Sequence, residues 1–246
     1  MEPDVYCKMF EVETTHWWYV GLHKLLIQLL RQHCDASDVL LDVGSGTGRW
    51  LEFAGQCGCR TMGLERNRQA LDLAAGRGLR NLVCGEAEAL PFPDGTVDVV
   101  TCIDVLYHVG VTSEGRALEE IRRVLRPGGL LVLQLPAFEW LRSSHDTATH
   151  GRRRYSRREV AALLNAADLQ PIRVTYRNTL LFPLACAVRL SRRLLRAPGA
   201  TQSDLNSPPA LLNSLLQNVL CLENRLLSAN ISLPFGLSVL AVGRKT

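Results

Sequence analysis

Residues 42 to 48 read Asp-Val-Gly-Ser-Gly-Thr-Gly, an acid followed by three glycines at alternate positions. Val39 to Val43 form an apolar run suited to a buried parallel strand, and Arg49 onward suits the start of a helix. Glycines at such a junction let the chain turn tightly and bring a ligand against bare N–H groups. A dinucleotide loop would read Gly-x-Gly-x-x-Gly or Ala. Counting from Gly44, its last slot is Arg49, and Gly48 comes one place early. Asp42 would also crowd a pyrophosphate. A ligand with a free ammonium and a sulfonium tolerates that acid, and S-adenosylmethionine is such a ligand.

Further chemistry lies downstream. Glu65 closes a second apolar run, 21 positions after Gly44, where an acid can accept both hydroxyls of a ribose. Tyr107 and His108 follow a fourth apolar run, at the sheet edge where open α/β folds receive ligands. His108 is a candidate general base for an acceptor that must lose a proton. Past the fifth run, His145 beside Asp146 could be an oriented base, and Arg154 and Tyr155 share that segment. Its arginines could hold a carboxylate or phosphate, although Gly151 to Arg154 also reads as a solvated loop. His16-Trp17-Trp18-Tyr19 would serve equally as an aromatic lid over the site or as core packing. Cys57-Gly58-Cys59 lacks zinc spacing and has no companion pair, so no metal site is expected and the eight cysteines read as reduced thiols.

Those residues need elements to position them. Strands are expected at 39–43, 59–64, 81–84, 97–103 and 130–135, alternating with helices at 48–57, 67–76 and 113–125. The last of these helices should stop at a turn, Arg126-Pro127-Gly128-Gly129. This alternation predicts a doubly wound parallel sheet. A helix capped by Ser156 and Glu159 runs to Ala167, and two more strands follow at 172–176 and 237–243. Residues 10 to 33 have helical spacing and form an N-terminal cap. Between the last two strands, residues 178 to 232 form an insertion. It has an apolar helix over 180–195 ending in Arg189, Arg192, Arg193 and Arg196, and a leucine-rich helix over 211–227. The insertion reads as a lid, a homodimer contact or a peripheral membrane contact.

The chain has 246 residues, 47% of them hydrophobic, and a net charge of +4. That suits one domain: a cap at 1–36, a core at 37–177, the insertion and a last strand at 233–246. No signal peptide or membrane-spanning run is evident, so a cytoplasmic protein is expected.

The ordered series Asp42 to Gly48, Gly63-Leu64-Glu65, Gly85 to Phe92, Asp98-Val99-Val100, Leu106 to Val109 and Leu125 to Gly129 resembles the class I S-adenosylmethionine-dependent methyltransferases, in their small-molecule, type-11 branch. The resemblance implies a Rossmann-like seven-stranded sheet of order 3-2-1-4-5-7-6. It implies S-adenosylmethionine held by Asp42, Gly44, Ser45, Gly46, Gly48, Glu65, Arg66, Glu86, Ala87 and Cys102, with the adenine read at Glu86 and Ala87. The acceptor would meet Trp18, Tyr19, Tyr107, His108, His145, Arg154 and Tyr155, with His108 and His145 as the catalytic pair. The expected reaction is in-line methyl transfer to a small organic molecule, lipophilic or aromatic, such as a natural-product intermediate. Three rivals are a silent subunit of a heteromeric methyltransferase, a nicotinamide-dependent oxidoreductase, and an enzyme acting on protein or nucleic acid. The last is disfavoured because no Asn-Pro-Pro-Tyr-type motif or basic appended domain is present.

Overall fold

The computed structural model describes residues 3–143, 146–147, 149–194 and 208–246. The glycine motif connects β1 (Val39–Val43) to α3 (Arg49–Gln56), as the residue pattern requires. β2 (Arg60–Glu65), α4 (Arg68–Gly76), β3 (Leu82–Cys84), β4 (Val97–Ile103), α5 (Glu114–Val124) and β5 (Leu125–Pro136) follow. After these come α6 (Arg157–Ala166) and β6 (Leu169–Arg177), with β7 (Ser238–Lys245) last in the chain. The strands form one sheet in the order β3-β2-β1-β4-β5-β7-β6. β7 is antiparallel to both its neighbours, and the other pairings are parallel.

Alternation along each strand separates two cores. Leu41 and Val43 of β1 point to the face covered by α5 and α6, together with Leu131, Leu133, Val239 and Ala241. Leu40, Val99, Val132 and Leu240 point to the opposite face, covered by α3 and by α2 (Trp17–His33). Asp42 shares the parity of Leu40 and therefore sits on the α3 face.

Three expectations change. The N-terminal cap is two helices, α1 (Pro3–Val12) and α2, broken at residues 13–15; His16 caps α2 through its ring nitrogen, which accepts from Trp18 N at 3.3 Å. Arg126-Pro127-Gly128-Gly129 lies within β5, where the register against β4 shifts, so the helix passes directly into the strand. The last strands are longer than expected. The capping box of Ser156 and Glu159 forms as expected. Within the insertion, α7 (Phe182–Leu194) and α8 (Ala210–Ser228) form, and α8 packs along α2.

Candidate active site

One cavity of about 910 Å³ lies at the carboxyl edge of the parallel strands, where this architecture places ligands. Of the residues expected to hold a cofactor, Gly44, Gly46, Glu65, Arg66, Glu86 and Ala87 line it. Gly46 has φ +52°, and a β-carbon there would meet the Met9 methyl at 3.1 Å. Gly44 has φ +78°, and a β-carbon would lie 2.3 Å from Val105 Cγ2. Arg66 is an exposed guanidinium 3.6 Å from Glu86.

The loop's N–H groups are not bare. Gly44 N and Ser45 N donate to Leu64 O at 2.7 and 3.0 Å, Gly48 N to Ser45 O at 2.9 Å, and Gly46 N to Glu65 Oε2 at 3.0 Å. A loop whose donors are committed inward offers little to a pyrophosphate. Glu65 also accepts from Asn67 N at 2.9 Å and from the Tyr6 hydroxyl at 3.4 Å, so its buried carboxylate is fixed facing the cavity. Ser45 Oγ is buried and has no hydrogen-bond partner among the described residues.

Four expected positions lie elsewhere. Gly48 does not line the cavity; it caps α3 against Ala74 and Leu79, of which a β-carbon would come within 2.8 and 2.5 Å. Asp42 is buried beneath α3, where Thr101 Oγ1 donates to its Oδ1 at 2.6 Å and Trp50 Nε1 donates in turn to Thr101. Burial pushes this carboxyl up to about 7, against the lowering effect of the Thr101 hydrogen bond. Cys102 is fully buried in β4, and burial raises its thiol, so it packs rather than reacts. Ser45 stands beside the cavity without lining it.

On the acceptor side, Trp18, Tyr19, Tyr107, His108 and Arg154 line the cavity, with His16 and Trp17 beside them. The aromatic tetrad is therefore a wall of the site. His145, expected to pair with Asp146, lies outside the described residues. Asp146 receives Arg154 Nε at 2.7 Å and Nη2 at 3.0 Å, and Ser143 N at 2.8 Å. That bidentate pair commits Arg154, whose remaining Nη1 donates to Ala137 O. Arg152 and Arg153 pair with Glu114 at 2.6 and 3.6 Å. Tyr155 is fully buried and donates to Glu114 at 2.7 Å; it is a core residue, not an acceptor contact.

Asp104 was not foreseen. It lies directly after β4, lines the cavity and holds φ +54°, a strained conformation that asparagine and aspartate tolerate best. Gln134 Nε2 donates to its Oδ2 at 2.8 Å, and Arg177 Nη1 donates to Gln134 Oε1 at 3.2 Å. Arg177 is fully buried, lies 5.3 Å from the Trp18 ring, and its Nε and Nη2 have no partner among the described residues. Burial pulls this guanidinium down to about 10. Burial raises Asp104 to about 6, opposed by Gln134 and by the charges of Arg177 and Arg154. Burial lowers His108 to about 4, so its ring is neutral near pH 7. Nothing in local sequence pattern marks Asp104, because its partners lie on β5 and β6.

The cap closes the other wall. Tyr6 and Met9 of α1 stand over Glu65 and Gly46. Glu13 accepts from Thr47 Oγ1 at 2.7 Å and pairs with Arg77, which donates to Thr47 O at 2.9 Å. The cap is thus latched to the glycine loop. The set suits a cationic, ribose-bearing cofactor: a β-carbon-free cradle at Gly44 and Gly46, an oriented carboxylate at Glu65, and further acids at Glu86 and Asp104.

Residues 41–133 match the family model described as a methyltransferase domain. The chain is 33% identical to a probable tRNA methyltransferase 9B of Mus musculus over 41% of its length, and spans 22% of that protein. It is 31% identical to a ubiquinone/menaquinone biosynthesis C-methyltransferase of Cronobacter sakazakii, over 54% of this chain and 71% of that one. Among solved structures, a chain of the complex between the Haloferax volcanii Trm112 methyltransferase activator and a methyltransferase superposes with a TM-score of 0.64 at 22% identity. That superposition covers 98% of this chain and 95% of the other. With its sheet order, its cofactor cradle and these relatives, the chain belongs to the class I S-adenosylmethionine-dependent methyltransferases, in their type-11 branch.

Proposed function

We propose that this protein transfers the methyl group of S-adenosylmethionine to a lipophilic small molecule. The observation that carries this reading is the two-part lining of the cavity. Acids and glycines line it at β1 and β2, and Trp17, Trp18, Leu181, Leu184, Val188 and Leu216 line it from the cap and the insertion, with Asp146, His150, Arg154 and Arg189 at their margin. An apolar, aromatic wall takes an apolar acceptor. The relative named for ubiquinone and menaquinone biosynthesis supports that class. The relatives named for tRNA find less support here, because Arg152, Arg153 and Arg154 are all paired to acids.

When bound, S-adenosylmethionine supplies a methyl carbon already activated by its sulfonium. Glu65 holds the ribose, Glu86 and Ala87 the adenine, and Tyr6 and Met9 exclude water above them. The chain's main contribution is alignment in a dry pocket. Where the acceptor must lose a proton, Asp104 is better matched than His108 to take it. Its carboxyl titrates near 6 and is largely ionised at neutral pH, whereas a ring pushed to about 4 is a weak base. Asp104 Oδ2 is held by Gln134, which fixes the direction of the carboxylate. His108 then shapes the wall, its ring 4.4 Å from that of Tyr107.

The test is a panel assay with methyl-labelled S-adenosylmethionine. Lipophilic phenols and quinols should gain label, whereas tRNA transcripts and polar small molecules should not. Label appearing in tRNA alone would overturn the reading.

A further inference from the structure

The cavity does not end inside the molecule. On α7, Leu184 and Val188 line it while remaining 57% and 41% exposed. On α8, Leu216 lines it; one turn earlier, Leu212 is 45% exposed, beside Leu211 at 89% and Leu215 at 59%. Apolar side chains of two helices therefore continue from the cavity wall across its rim. A contiguous apolar rim around a ligand entrance marks a contact surface.

Charge selects what the surface contacts. Residues 178 to 222 contain four arginines, Arg189, Arg192, Arg193 and Arg196, against one acid, Asp204. Arg189, Arg192 and Arg193 fall in α7, which contains no acidic residue; Arg189 donates to Leu141 O at 2.6 Å. α8 carries no charged residue before Glu223. A second copy seated here about a two-fold axis would bring two arginine-bearing, acid-poor helices together and cap the entrance. An anionic bilayer satisfies both features: its negative surface attracts a helix rich in arginine and free of acids, and its acyl boundary takes the leucines. No described helix is long and apolar enough to cross a membrane, so the contact is with the surface.

We propose that α7 and the first turns of α8 form a docking face for an anionic lipid bilayer, through which a lipophilic acceptor reaches the cavity. The route rests on the acceptor class argued above, whereas the docking itself does not.

Sedimentation with vesicles tests it. The protein should pellet with vesicles of phosphatidylcholine mixed with phosphatidylglycerol, and remain in solution with phosphatidylcholine alone or at high salt. The double variant Leu211→Asp/Leu215→Asp should lose about tenfold or more in vesicle affinity. Its affinity for S-adenosylhomocysteine by calorimetry should be unchanged, which shows that it is folded. Wild-type protein that ignores anionic vesicles overturns the proposal, as does a double variant that binds them equally well. A dimer in light scattering that this variant converts to monomers would also overturn it, assigning the face to a second copy. Sedimentation needs no acceptor, so its failure and the failure of the methylation panel are read separately.

Discussion

Asp42 and Asp104 are two acids raised by burial, one under α3 and one facing the cavity, and each predicts a pH effect. Asp42 is enclosed under α3 with one hydroxyl donor, and its carboxyl is pushed to about 7 from an ordinary 3.8. A raised carboxyl favours the folded state while protonated, so its contribution is present below about pH 4 and is lost as pH rises towards 7. Asp42→Asn keeps the shape without the charge. In cofactor-free melts the variant should gain on wild type by on the order of 1 kcal/mol per pH unit across that window, about 3 °C each. Parallel pH profiles would sink the assignment. Asp104 should instead appear in turnover: with a proton-bearing acceptor, kcat/KM should rise through an apparent pKa near 6. That limb should vanish in Asp104→Asn and persist in His108→Ala. Persistence in Asp104→Asn would return the base to His108. The residue pattern made the glycine junction and the acid of β2 legible, and the structure places Gly44, Gly46 and Glu65 on the cavity. It did not show that the space beside Gly48 is filled by Leu79 and Ala74, or that the charge of Arg154 is paired with Asp146. Local sequence does not record which distant partner already occupies a functional group.

The same limit operates on elements. Residues 10 to 33 carry one continuous helical pattern, yet the helix breaks at Glu13, whose carboxylate is drawn to Thr47 and Arg77, 34 and 64 positions away. That break is what lets α1 fold over the glycine loop, with Tyr6 on Glu65 and Met9 on Gly46. Glu13 and Arg77 are both largely buried, so removing Glu13 leaves Arg77 with Thr47 O and a longer contact to Glu52 at 3.7 Å. Glu13→Ala should therefore free α1 rather than unfold the sheet. Amide exchange across residues 5–12 should accelerate, and S-adenosylhomocysteine should dissociate about tenfold faster in stopped flow, from a loss on the order of 1.4 kcal/mol. Unchanged exchange in α1 would show that Glu13 does not hold the cap. Strands β1 to β4, by contrast, were legible nearly to the residue, whereas β5 and β6 extend beyond the expected runs. Buried parallel strands read as unbroken apolar runs, and Ser156 with Glu159 announces its own helix.

At the scale of the molecule, the alternation of runs predicts the parallel half of the sheet, and the sheet order followed from the family resemblance. The direction of β7 is not visible in its residues, since an apolar run reads the same whichever way it pairs. Nor does periodicity show what covers the leucine-rich helix. In the structure one side of α8 is buried on α2. Asn224 Nδ2 donates to Gly21 O at 2.8 Å, Asn213 bridges Trp17 N and Thr15 O, and Glu223 accepts from Leu180 N at 3.0 Å. The insertion is thus anchored to the cap and to the end of β6, and the aromatic wall at Trp17 and Trp18 depends on that anchorage. Gly21 lies within that contact: a β-carbon there would lie 2.5 Å from Leu220 Cδ1. Gly21→Val should force α8 away from α2 and cost about 1–3 kcal/mol, several degrees in melting temperature. Gly76→Ala is the matched control, because nothing lies within 4 Å of its β-carbon position and α4 gains a better helix former. It should leave the melting temperature level or slightly raised. A Gly21→Val protein that melts with the control would mean that α8 rests on the cap without being packed into it, and the aromatic wall would then have to be held from the sheet side alone.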